Sequence, residues 1–135
     1  MPETLYFGSH TLHFVDPGIA VVTYRGVVTG DEMRAICEVP DVPAHAGRFQ
    51  LTICDLRELD RITPEARKVG SERLRPAAIY YYAYVGANFA TRVMVGLWTR
   101  GTNFVHGEKN EIDFFADLTA AKAWLLTCRE RHQAA

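Results

Sequence analysis

Cysteine is scarce in this chain, and what there is of it does not form a pattern. Cys37, Cys54 and Cys128 are odd in number and widely spaced, and each sits in an apolar run, which excludes a disulfide framework and fits reduced, buried thiols in a cytoplasm. Long apolar runs are missing as well. No window approaches 18 uncharged apolar residues, and the opening Met1-Pro2-Glu3-Thr4-Leu5-Tyr6 has neither a basic head nor a long apolar core, so neither a membrane span nor a secretory signal is expected. Charge of one sign is absent: 15 basic side chains against 16 acidic ones leave no attraction for polyanions, which argues against nucleic acid as partner. There is no G-x-G-x-x-G, no G-x-x-x-x-G-K-[ST], no C-x-x-C and no H-E-x-x-H, so the well-specified nucleotide, redox and zinc sites are excluded, and no cofactor is expected.

What is present is a globular composition, 48% hydrophobic and 23% charged over 135 residues, the size of one domain spanning 1–135 with a single core. Leu12 and Phe14 alternate with polar neighbours, Asp16-Pro17-Gly18 is a turn, and Ile19 to Arg25 is rich in β-branched residues; together they predict an antiparallel hairpin. Thr29-Gly30-Asp31-Glu32 has capping-box spacing before a helix with Met33, Ile36 and Cys37 inward, ending near Pro40. Small residues and Pro43 predict a loop over 41–47.

The most informative stretch follows. A strand from Phe49 to Asp55 ends on an acid, and Thr63 caps a helix with Pro64 at its first position and Ala66, Val69, Gly70, Leu74 and Ala77 inward, its length limited by Pro76. Strand ends feeding helix starts are where α/β domains place binding sites. Ile79 to Gly86 predicts a tyrosine-rich strand. Asn88 caps a helix over Phe89 to Trp98, with Phe89, Val93, Leu97, Ala90 and Met94 as its apolar face. Residues 101–110 predict a polar loop with an extended piece at Asn103-Phe104-Val105, and Ile112 and Phe114 open a last strand. Asp117 or Thr119 starts a closing helix with Ala120, Ala121, Trp124, Leu125 and Cys128 inward.

The order β-β-α-β-α-β-α-β-α predicts an α/β sheet, mostly parallel after an antiparallel N-terminal hairpin. Phe49, Leu51 and Ile53 point opposite to Gln50, Thr52 and Cys54, so one face reads wetter, and four helices mainly on one face are expected, the other face partly open. Tyr80, Tyr82 and Tyr84 share a face. They either pack under a helix or present an aromatic row to a flat or apolar ligand or a second subunit.

Several motifs in this order resemble the SpoIIAA-like, or STAS, superfamily, in particular its small stand-alone bacterial STAS/SEC14-like members. They are Tyr24-Arg25-Gly26 before Thr29-Gly30-Asp31-Glu32; Cys54-Asp55-Leu56 leading to Ile62-Thr63-Pro64-Glu65-Ala66-Arg67; Tyr84-Val85-Gly86 before Arg92; and Phe115 to Leu125. The resemblance spans nearly the whole chain. It implies a protein-binding regulatory module, with a kinase or anti-sigma-like regulator docking around the helix after the central strand and a phosphorylated serine at that helix start. Here the turn holds no serine, and its first hydroxyl is Thr63, which reads first as a helix cap and only second as a phosphorylation site.

Asp55 with Arg57 and Arg67 forms the candidate binding edge, an acid at a strand end beside cations on the next loop and helix; the plain alternative is a structural ion pair. Arg92 reaches the same rim or faces solvent, and Tyr82 represents the aromatic row. His10 and His13, three apart in a strand, leave by opposite faces and cannot share a metal. His106-Gly107-Glu108-Lys109 lacks a nucleophile, and Cys54 lacks a neighbouring cation, so catalysis is not expected. The expectation is a non-enzymatic docking module. A carrier for a small apolar or lipid ligand, held near the helix over 89–98 or on the tyrosine face, is the alternative.

Overall fold

Four side chains start the four helices. The computed structural model describes residues 4–15, 18–39, 48–72, 79–106 and 109–133. Thr29 Oγ1 accepts from the Glu32 backbone N–H at 3.3 Å while a Glu32 carboxylate oxygen accepts from the Thr29 N–H at 3.0 Å, and α1 (Gly30–Cys37) follows. Thr63 Oγ1 accepts from Ala66 N at 3.1 Å at the start of α2 (Pro64–Glu72). Asn88 Oδ1 accepts from Thr91 N at 2.8 Å to open α3 (Phe89–His106), and Asp117 Oδ1 accepts from Ala120 N at 2.8 Å to open α4 (Leu118–Gln133). Asp117, not Thr119, is therefore the last cap. The expected residues Asp16, Pro17, the loop over 41–47, Leu74, Pro76, Ala77, Gly107 and Glu108 lie outside the described residues.

Six strands, β1 (Leu5–Phe7), β2 (His10–Val15), β3 (Ile19–Val28), β4 (Phe49–Ile62), β5 (Ile79–Val85) and β6 (Lys109–Phe115), form one sheet in sequence order. β1, β2 and β3 pair antiparallel, and β3 through β6 pair parallel. The fold is thus α/β, with β1 added to the expected hairpin. Three parallel steps in the same direction, each with a crossover of the same hand, place their helices on one face. Accordingly Met33 and Ile36 of α1, Ala66 of α2 and Met94 of α3 pack with Val22, Tyr24, Cys54 and Leu56 of the sheet. α4 follows the last strand, is not a crossover, and covers the opposite face, where Ala121, Leu125 and Cys128 meet Phe49, Leu51, Ile53, Tyr81 and Ala83.

The strand parity is as expected, but its consequence is reversed: the wetter row of Gln50, Thr52 and Cys54 lies beneath the three helices, because the apolar row seals under α4 alone. Two expected boundaries are also corrected. β4 continues to Ile62 because β3 runs on to Val28 beside it; this ribbon extends past the end of β5, where water takes Arg57, Glu58, Asp60 and Arg61. α3 continues through Gly101 to His106 in place of the expected extended piece, since one helical glycine costs only about 1 kcal/mol. Asn103 secures this last turn, donating to Asn110 O and accepting from Asn110 N, both at 3.1 Å.

Candidate functional site

Strand register builds the first candidate region. Thr23 pairs with Asp55 and Arg25 with Glu58, so β4 carries one extra residue between them. That bulge brings Asp55, Arg57 and Glu58 to one groove beside Thr23, Arg25, His13 and Lys122, where strict alternation would have sent Glu58 to the other face. Asp55 is buried and its carboxylate takes a two-pronged ion pair from Arg57, Nε to Oδ1 at 2.9 Å and a terminal nitrogen to Oδ2 at 2.7 Å, with the Arg57 backbone N–H also donating to Oδ1 at 3.2 Å. Burial pushes the Asp55 carboxyl up, but the hydrogen bonds and charge of Arg57, with Arg25 behind, outweigh it and hold the group below its usual range. Arg57 lies on the strand rather than on a loop, and its side chain is half exposed.

Gly86 completes this lip. Its φ of +76° suits glycine, and a Cβ there would stand 2.4 Å from Arg57 Cγ and 3.2 Å from Arg57 Cα. Three residues later α3 begins, so the lip and the helix are continuous. Arg67 does not join the pair: it donates from α2 to Ile62 O at 3.1 Å, while Thr63 caps the same helix. Of the candidate edge, the structure brings together Asp55 and Arg57 and places Thr63 and Arg67 at a separate helix start.

α3 departs furthest from expectation. Phe89, Val93 and Leu97, read as the inward face, point outward: they are 80%, 46% and 62% exposed, and Phe104 is 90% exposed. Met94 packs inward as expected, and Val95, which is buried, and Trp98 join it in place of the outward three. At 100° per residue the four exposed side chains fall within roughly 80° of arc. Arg100 lies on that arc and Arg92 at its margin, exposed, with its Nε donating to Ala87 O at 3.2 Å. The helix contains no carboxylate. A signal was available in the sequence: two apolar stripes on one helix, of which a monomer of this size can cover only one.

Tyr82 sits elsewhere again. Tyr80, Tyr82, Tyr84 and Phe114 stack in a continuous row, with centroids 6.2, 6.2 and 5.6 Å apart, beneath the three-helix face rather than on an open side. Between this row and α3 lies a cavity of about 90 Å³ lined also by Met33, Leu56, Val95 and Trp98.

His10 and Glu32 bond to each other and to the backbone around them. His10 is fully buried; its Nδ1 accepts from the Arg25 backbone N–H at 3.0 Å, which leaves Nε2 to donate to Glu32 at 3.1 Å. Burial pushes the Glu32 carboxyl up, and the Thr29 backbone N–H and His10 outweigh it, for a net lowering. None of the three cysteines forms a disulfide, and burial pushes the Cys128 thiol up. No helix among the described residues is long and apolar enough to cross a membrane.

No protein-family model matches the chain, and no curated protein matches it either.

Proposed function

We propose that this protein is a non-enzymatic regulatory module that works by docking a protein partner, as the STAS resemblance implies, and that the docking surface is the outer face of α3 together with the adjoining Arg57–Gly86 lip. The observation that carries this reading is the exposed row Phe89, Val93, Leu97 and Phe104 on a helix that bears arginines and no acid. Large apolar side chains left contiguous in water are costly and mark interaction surfaces. Their flanking charge selects the occupant: an amphipathic segment whose apolar side chains meet the row and whose carboxylates meet Arg92 and Arg100. Within the resemblance, that partner would be a kinase or an anti-sigma-like regulator, met in the cytoplasm. Asp55 contributes by holding Arg57 in place.

A photo-crosslinking residue in place of Leu97, introduced in cells that make the protein at its natural level, tests this. The expected result is one crosslinked partner whose attached segment carries apolar residues flanked by Asp or Glu, with capture falling at least tenfold in the double variant Arg92→Glu, Arg100→Glu. Crosslinking only to a second copy of the chain, or capture unchanged by the charge reversal, would refute it.

A further inference from the structure

A different part of the molecule, independent of the docking surface, carries a second binding function. We infer that the cavity between the tyrosine row and α3 is a site for a small, neutral, mostly apolar molecule with one hydrogen-bond acceptor. Three observations lead there. The cavity, about 90 Å³, is walled by Tyr82, Tyr84, Leu56, Met33 and Val95, and among the described residues none of its lining side chains carries a charge. A carboxylate, phosphate or ammonium would therefore enter without a counter-charge, at a cost that excludes it, whereas a neutral molecule meets matched surface.

The indole N–H of Trp98, which also lines the cavity, is buried and meets no acceptor among the described residues. Buried donors are paired in the great majority of cases, so this one points to an acceptor supplied from outside the chain. Its position is built in: a Cβ on Gly70 would stand 2.7 Å from the Trp98 ring, so only glycine on α2 lets the indole lie where it does. Volume sets the size of the occupant. A cavity of roughly 150 Å³ holds benzene, so this one encloses a short branched chain bearing a carbonyl or hydroxyl, or only the carbonyl end of a five-membered ring. A longer ligand would leave its remainder outside the cavity.

Nuclear magnetic resonance of the ¹⁵N-labelled protein reads this directly, because the chain has two tryptophans and hence two indole N–H signals. The probes are cyclopentanone, cyclopentane, which is similar in size and lacks an acceptor, and cyclopentanecarboxylate, which is charged. Cyclopentanone at roughly millimolar concentration should move the Trp98 indole signal downfield and leave that of Trp124 in place, and cyclopentanecarboxylate should move neither. In Trp98→Phe the preference for cyclopentanone over cyclopentane should fall by about 3- to 10-fold, the worth of one neutral hydrogen bond. Thr102→Leu, which fills the cavity from α3, should abolish binding; if that variant does not fold, Thr99→Leu tests the same point. The inference is overturned if the Trp98 signal stays still at saturating cyclopentanone, if a long-lived water holds the indole N–H and is not displaced, if the carboxylate binds equally well, or if Trp98→Phe leaves the preference unchanged.

Discussion

Replacing Leu97 by alanine should barely affect folding, whereas replacing Val95, two residues earlier on the same helix, should cost several times more. Full burial of a leucine side chain contributes about 1.5–3 kcal/mol, and Leu97 is 62% exposed, so truncation forfeits about two-fifths of that, below about 1 kcal/mol after alanine's slightly better helix propensity. Val95 is 1% exposed. Losing its two methyl carbons removes about 1.6 kcal/mol of transfer energy and adds a cavity term, less about 0.5 kcal/mol regained in helix propensity, for a net of about 2 kcal/mol. Urea unfolding at unchanged slope reads both as shifts in midpoint. Apolar periodicity alone orders the two the other way, with Leu97 inside. If Leu97→Ala costs about 2 kcal/mol or more, or Val95→Ala costs less than Leu97→Ala, the outward placement of the row is wrong, and the docking surface goes with it.

Two further outcomes test the lip. Gly86→Ala places an L-residue at a φ of +76° and drives its Cβ against Arg57; the backbone conformation alone costs about 1–2 kcal/mol, so the total should exceed 2 kcal/mol and lower Tm by several degrees, and a Tm within about a degree of the parent would refute the packing. Asp55 ionises more readily in the folded chain than in the unfolded one. Its contribution is therefore complete above the unfolded pKa of about 4 and is lost as pH falls through the lower folded value. Asp55→Asn should accordingly be less stable than the parent near neutrality and should converge on it in that acid range. Parallel stability curves down to about pH 2 would show that the ion pair does not stabilise the fold.

The parts of the fold that were legible in the sequence are those decided within a few residues. Thr29 with Glu32, Thr63 before Pro64, Asn88 and Asp117 each announce a helix start because the cap bond spans only two or three positions, and each is found bonded as expected. Strand parity was equally readable, since alternation is a property of the strand itself. The errors have one origin. The polar run from Arg57 to Arg61 resembles a loop until β3 is seen running beside it, and the polar stretch that starts at Gly101 resembles a loop until Asn103 is seen bonded to Asn110. Both depend on a partner distant in sequence.

The candidate site was half legible for the same reason. Asp55 and Arg57 are two residues apart and share a strand face; Arg67 is close to them only along the chain, and its hydrogen bond goes to Ile62 O. Sequence alone determined the α/β class, the helix starts and which side chains share a strand face. Only the tertiary structure decided which face each helix covers, which stripe of α3 meets water, and that the indole N–H of Trp98 is buried with no acceptor among the described residues. Periodicity specifies a direction relative to the element's own axis, whereas inside and outside are set by what the rest of the chain packs against it.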